Sequence, residues 1–344
     1  MRTEDFDYEL PSGLIAQEPA DPRDSCRLLV VDRSSGQMDH VSFADIVDYL
    51  RRGDVLVVNE TRVLPARLKG AKIETGAAAE ILLLRERYED TWECLVRPGR
   101  RLRPGARIEF GNGELIGLVV DVLDDSGGRL IRFSTPSGRF LDVVHRLGEV
   151  PLPPYITKPL DDPELYQTVF ARDERSAAAP TAGLHFTREL LSRIEDCGTI
   201  VASVELDVGL DTFRPVSEDT PQEHIMHSEH YRVPAGTAEA VNEAREAGGR
   251  VVAVGTTTVR ALESAWDASS GGVRAVEGST DLFILPGHRF EAVDAMVTNF
   301  HTPRSTLLMM VCAFAGRGLV MESYRLAAQR RYRFLSFGDA MLFM

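Results

Sequence analysis

The run Ala178-Ala179-Pro180-Thr181-Ala182-Gly183-Leu184-His185-Phe186-Thr187 sets a histidine between a loop punctuated by Pro and Gly and a helix start. Thr187 can cap the segment Arg188 to Cys197, in which Leu190, Leu191 and Ile194 recur at helical spacing, and Gly198 supplies the stop. His185 then lies just before the free N–H groups of a helix, where the dipole lowers its pKa and the ring can hold a substrate or move a proton. A loop histidine is also often purely structural, so the residue needs company.

Two further runs supply it. Val251 to Val254, Gly255-Thr256-Thr257-Thr258 and Val259 to Glu263 read as strand, turn and helix, a geometry that gathers N–H groups and hydroxyls around an anion such as a carboxylate or phosphate. The bland reading is that one threonine caps the helix and the others fill β-favourable positions. The glycine spacing of a dinucleotide fingerprint is missing. Asn299-Phe300-His301-Thr302-Pro303-Arg304-Ser305 again joins a strand to a helix, with Ser305 as cap and Gly316 as stop. Ligands of α/β sheets bind outside the carboxyl ends of strands, so this segment, the Thr256 turn and His185 could line one cleft. His301 could equally just brace its loop.

His224, His227 and His230, with Glu229 beside them, invite a metal reading, but their spacing fits neither one helix face nor one strand face. A polar loop in which His227 or Glu229 touches ligand is the better expectation.

These segments need elements to hold them. The opening third predicts short strands at 28–32, 54–59, 79–84, 92–97, 107–110, 115–123 and 130–134, with helices only at 43–51, capped by Ser42, and 141–147. From about Ala66 to Arg139 the pattern fits a small antiparallel β-barrel. After Pro151-Leu152-Pro153-Pro154 the texture becomes α/β, with strands at 200–206, 250–254, 281–285 and 293–298 and helices at 188–197, 238–247, 259–266, 306–315 and 322–331.

The 344 residues, 44% of them hydrophobic, allow two globular domains. The acidic start lacks an apolar signal core, and the longest apolar run, Leu307 to Ala315, is too short to span a bilayer, so a cytoplasmic protein with no membrane partner is expected. Four scattered cysteines argue against a disulfide framework or a zinc ribbon. A net charge of −13 argues against nucleic acid at face value. Yet Arg62 to Arg107 carries eleven basic residues against six acidic ones, Arg62, Arg67, Arg100, Arg101 and Arg103 among them. That stretch is either a nucleic-acid face or a solvated barrel surface with its charges scattered.

The motifs resemble, from end to end, those of the S-adenosylmethionine:tRNA ribosyltransferase-isomerases of queuosine biosynthesis. They are F-D-Y-E-L-P from Phe6, N-E-T-R-V-L-P-A-R-L from Asn59, V-P-L-P-P-Y-I from Val150 and Y-Q-T-V-F from Tyr166, besides the run at His185. Then come H-I-M-H-S-E from His224, V-G-T-T-T-V-R from Val254, T-N-F-H-T-P from Thr298 and F-G-D-A-M-L from Phe337. The resemblance implies a main α/β domain built from residues 1–65 and 150–344, with the antiparallel barrel, 66–149, inserted. It implies transfer and isomerisation of the ribosyl group of S-adenosylmethionine onto the 7-aminomethyl group of a 7-deazaguanine at the tRNA wobble position. Adenine and methionine would leave, with no metal or other cofactor. It also implies a monomer whose partners are that tRNA and S-adenosylmethionine.

On the matching positions, His185, Thr181, His301 and Asp294 are the expected catalytic residues, His185 first for proton transfer. Thr256, Thr257, Arg260, Asn299 and Ser305 would bind the donor, and Arg62 and Arg67, together with Arg100, Arg101 and Arg103 of the basic stretch, the RNA. Asp339 also matches. The chain departs from the pattern in L-D-V-G-L-D-T-F from Leu206, where Asp207 stands for a histidine and Asp211 for a glycine, and at Glu60, where Asp or Asn is usual. Those changes raise the alternative of a diverged paralogue that binds RNA or another deazapurine with altered or no turnover. An ordinary methyltransferase is disfavoured, because no glycine-rich donor loop follows an early strand.

Overall fold

Val55–Asn59 and Val251–Val254 are unbroken runs of buried residues, the pattern of strands covered on both faces, and they lie side by side in parallel at the centre of the main sheet. In this computed structural model, residues 1–123, 128–136, 138–209 and 215–344 are described. They divide into two compact units. One comprises Met1–Thr61, Pro153–Asp173 and Ala179–Met344, the other Arg62–Leu152 and Glu174–Ala178.

The first unit is built on a nine-stranded sheet of β1 (Arg27–Val31), β2 (Met38–Ser42), β3 (Val55–Asn59), β4 (Ile200–Leu206), β5 (Glu229–Val233), β6 (Val251–Val254), β7 (Val276–Thr280), β8 (Ala295–Asn299) and β9 (Ala340–Phe343), in the spatial order β7-β5-β4-β3-β6-β8-β9-β1-β2. β4, β3, β6 and β8 run parallel, so Leu206, Asn59, Val254 and Asn299 end at one edge.

Alternate residues Leu56 and Val58, Val252 and Val254, and Ala295 and Val297 face a core closed by Phe43, Ile46, Leu190 and Ile194. Leu190 and Ile194 come from α2 (Arg188–Asp196), which Thr187 caps by accepting from Leu190 N at 3.1 Å. α3 (Ala235–Glu246) and α4 (Thr256–Ala265) pack on β3 and β6. α5 (Thr306–Ala315), capped by Ser305, and α6 (Arg317–Gln329) follow.

The second unit is a closed antiparallel barrel of six strands, Arg67–Lys72, Ala78–Tyr88, Thr91–Arg97, Arg107–Phe110, Leu115–Val122 and Arg129–Ser134, followed by α1 (Phe140–Leu147). Its core holds Leu68, Ile81, Ile108, Phe110 and Phe133. The mixed α/β class with an antiparallel barrel is the one the sequence predicts.

Individual elements depart from expectation. Residues 43–49 wind as a 3-10 helix, which stacks Phe43 and Ile46, three apart, on one buried face. The strand expected at 281–285 lies instead at Val276–Thr280. There the Arg260 guanidinium, bonded to the carbonyls of Thr280 and Leu282, takes the acceptors that a longer strand would offer a neighbour. The polar loop expected around His230 is in part β5, where Glu229 and His230 pair with Thr280 and Ser279. All four cysteines are free, and no single helix among the described residues is long and apolar enough to cross a membrane.

Candidate active site

A small cleft, open to solvent on one side, lies at the shared edge where β6 and β8 end. Thr181, Val208, Thr256, Thr257, Asn299 and His301 give it its polar and apolar walls. The sequence makes this edge abrupt. Gly255, with φ of +91°, turns β6 straight into α4, while its N–H still donates to Val297 O of β8 at 2.8 Å. Gly183 lets the Thr181 to His185 turn, a 3-10 helix, lie against Phe170 and Thr168, whose atoms are 2.7 and 2.9 Å from where a Cβ would sit.

Of the three threonines, Thr258 donates back to the carbonyl of Val254, the last residue of β6, at 2.7 Å. Thr257 Oγ1 accepts from Asn59 Nδ2 at 3.3 Å, a residue sequence reasoning missed although it ends the neighbouring strand. Thr256 Oγ1 has no hydrogen-bond partner among the described residues, although the residue is buried and lines the cleft. None of them caps α4 through its side chain, so the first N–H groups of that helix stay uncapped.

His185 is placed differently from expectation. Asn299 Nδ2 donates to its Nε2 at 3.0 Å and to Leu335 O at 3.2 Å, while Asn299 Oδ1 accepts from Thr181 Oγ1 at 3.0 Å. A carbonyl can only accept, so the atom facing Leu335 must be the amide nitrogen, and His185 Nε2 must be its second acceptor. The ring proton therefore sits on Nδ1, 3.3 Å from Cys26 Sγ. Burial, with the charges of Arg333 and Arg23 adding to it, pushes the His185 pKa down to about 3. The cause is desolvation and not the dipole of α2. With both nitrogens used and the ring outside the cleft lining, His185 stands behind Asn299.

The histidine that does face the cleft is His301. Its Nε2 lies 2.7 Å from Thr298 Oγ1, its N–H donates to Tyr324 Oη at 3.0 Å, and its carbonyl accepts from Tyr8 Oη at 2.5 Å. Nδ1 has no partner among the described residues. Burial lowers this pKa too, to about 3, so the imidazole is neutral.

The structure does not bring the other expected residues to the cleft. Asp294 precedes β8, at the end opposite Asn299, and accepts from Val251 N at 2.8 Å. Arg260 is buried in an ion pair with Glu229, and Ser305 caps α5 by accepting from Leu308 N at 3.2 Å. Glu229 also accepts from Gly209 N at 2.8 Å and lies 3.0 Å from His227 Nε2, so it braces the Val208 wall from beneath instead of meeting ligand. Among the described residues no group of three or more His, Cys, Asp or Glu side chains is placed to hold a metal ion. Asp339 accepts from Arg27 N and Arg333 N, at 3.0 and 2.7 Å. Asp207 N donates to His230 O at 2.9 Å, and its carboxylate lies 3.6 Å from His230 Nδ1. Asp211 lies outside the described residues.

On the barrel unit, Arg62 pairs with Glu174 at 3.3 Å and Arg67 Nε is buried. Arg100, Arg101 and Arg103 are exposed, with no ion-pair partner among the described residues. Arg129 fixes their loop, donating to Leu102 O and Gly99 O at 2.6 Å each.

Residues 3–343 match the family model described as queuosine biosynthesis protein. A relative from Symbiobacterium thermophilum, named S-adenosylmethionine:tRNA ribosyltransferase-isomerase, is 56% identical over 344 residues, with both chains covered in full. One of the same name from Moorella thermoacetica is 55% identical over the same length, again with full coverage of both. The crystal structure of S-adenosylmethionine tRNA ribosyltransferase from Thermotoga maritima is 40% identical and superposes with a TM-score of 0.55, covering 99% of this chain and 100% of that one.

Proposed function

The chain belongs to the queuosine biosynthesis family, and from that membership and the cleft we propose how its residues divide the work. It is an S-adenosylmethionine-dependent tRNA ribosyltransferase-isomerase. The finer reading is that the acceptor is the 7-aminomethyl group of 7-deazaguanine at the wobble position and the product epoxyqueuosine-tRNA. The sulfonium acidifies the adjacent ribose carbon, a base takes a proton there, adenine leaves, and the amine attacks the opened sugar. The carbon to sulfur bond breaks as the epoxide closes, releasing methionine. These bond changes balance without a metal or an external reductant.

The observation that carries the assignment is a pair of ligand-ready atoms in one buried cleft, Thr256 Oγ1 and His301 Nδ1. The uncapped N–H groups of α4, with Thr256 and Thr257, hold the carboxylate of the donor. His301, neutral at working pH, is in the form that accepts a proton and can pass it to departing adenine. Thr181 and Asn299 orient the ribosyl donor beside it. His185 moves from proton transfer to support of Asn299, and Asp294, Arg260 and Ser305 serve the frame.

Residues 66–149 act as the inserted module that meets RNA, with the exposed Arg100, Arg101 and Arg103 on the phosphates and Arg62 and Arg67 held within the unit. A tRNA substrate favours a cytoplasmic enzyme, and a monomer is the state we propose for it. The test is incubation with S-adenosylmethionine and tRNA bearing the aminomethyl deazaguanine. Equimolar methionine and adenine are expected, and S-adenosylhomocysteine in their place would overturn the reading.

A further inference from the structure

Asn299 shows the cleft a fixed chemical face. Its two amide hydrogens are spent on Leu335 O and His185 Nε2, so the group left toward Thr181 and the cleft is the oxygen. Thr181 Oγ1 occupies one lone pair of Oδ1, and the other is open to a donor. The neighbouring feature has the opposite polarity. Asn299 ends β8 and Gly255 follows β6, strands that pair in parallel at Val254 and Val297 and lie about 4.8 Å apart, as adjacent strands do. An acceptor oxygen thus shares the cleft with the donor-rich start of α4 and the unpartnered Thr256 hydroxyl. That pairing suits a ligand group with an anion and a cationic N–H donor two bonds apart, which is an α-amino acid.

We propose that Asn299 Oδ1 receives the α-ammonium of the methionine end of S-adenosylmethionine while the start of α4 holds its carboxylate, and that His185 is the positioning residue that keeps the Asn299 amide this way round. The proposal rests on the donor assignment above. His185 can play that part only as the neutral Nδ1–H tautomer, because a second ring proton would oppose the Asn299 NH2 group. Its surroundings enforce this. Desolvation disfavours the imidazolium and also pushes the Cys26 thiol well up, so Nδ1–H meets a neutral sulfur.

The test is calorimetric binding of S-adenosylmethionine and of its deamino analogue, in which hydrogen replaces the α-amino group. Wild type is expected to bind the analogue at least tenfold more weakly. Asn299→Ala should shrink that gap to about twofold. His185→Gln, which restores an amide oxygen near the Nε2 position, should keep it, whereas His185→Leu, which leaves the Asn299 NH2 free to turn, should lose most of it. Equal affinity of wild type for both ligands overturns the proposal, as does an undiminished gap in Asn299→Ala. The wild-type comparison decides even if a variant does not fold. A wild type that releases methionine and adenine yet ignores the amino group sinks the ammonium assignment alone. A wild type that releases neither sinks the functional reading itself.

Discussion

Thr298 Oγ1 and His301 Nε2 lie 2.7 Å apart across the turn that ends β8, and this contact leaves Nδ1 as the imidazole nitrogen open to a ligand. The main chain of His301 is pinned as well, by Tyr324 and Tyr8, so the ring is aimed before substrate arrives. Replacing His301 by Ala should therefore lower kcat by about a hundredfold or more, equivalent to roughly 2.7 kcal/mol of barrier, with donor binding largely kept. Single-turnover release of adenine and methionine measures it. Release within a few-fold of wild type would return His301 to bracing its loop.

The two buried histidines set a pH dependence of stability. Each has a folded pKa of about 3, below the ordinary 6.5, so between those values the unfolded chain binds more protons. The stabilisation they confer is complete above pH 6.5 and is lost as pH falls, by about 1.4 kcal/mol per pH unit for each ring. Urea unfolding from pH 7.5 to 5 should show a flat region and then a decline. His185→Gln should roughly halve the slope between pH 6.5 and 5, and an unaltered slope would mean that the ring titrates normally.

Thr256 and Thr257 separate along the donor. Thr256→Val removes an unpartnered hydroxyl from the cleft and should weaken S-adenosylmethionine binding by about tenfold, given the usual worth of a hydrogen bond to a charged group. Thr257→Val breaks the contact with Asn59 and acts through β3, so the double variant should be weaker still. Unchanged affinity by calorimetry would remove the start of α4 from the donor site.

Exposed arginines on a fixed loop suit phosphate contacts, whereas those matched with carboxylates, such as Arg87 with Glu93, are already compensated. Changing Arg100, Arg101 and Arg103 together to Ala should weaken tRNA binding. It should also reduce the slope of log affinity against log salt by roughly two, at about 0.7 to 0.9 for each phosphate no longer neutralised. Filter binding between about 50 and 200 mM salt reads both, and no change in either would make the loop an ordinary solvated surface.

Asp207 bonds to His230 through its backbone and lies within ion-pair reach of that ring, outside the cleft lining, while its neighbour Val208 lines it. Asp207→His should therefore change the rate by less than about tenfold. A gain of about a hundredfold would revive the diverged-paralogue alternative, against which the shared name of relatives at 51 to 56% identity already argues.

Much of the frame was legible because it rests on local rules. The parallel centre of the sheet shows as solid apolar runs such as Val55 to Val58. Helix starts show as Thr187 and Ser305, and the barrel as short strands between Gly and Asp turns. The motif runs also hold the cleft's lining, since Thr181, Thr256, Asn299 and His301 lie at or just beyond strand ends. What sequence could not decide was which nitrogen of which histidine is free. His185 and His301 look alike in a sequence, each beside a helix start. The difference is made by Cys26, 159 positions away, and by Leu335, which occupy His185 Nδ1 and fix the Asn299 amide. Likewise Arg260 reads as a free cation until Glu229, on another strand, neutralises it. Such partners are set by strand order and not by chain order, so hydrogen-bond satisfaction inside the core, and with it the division between ligand-facing and supporting residues, exists only in the tertiary structure.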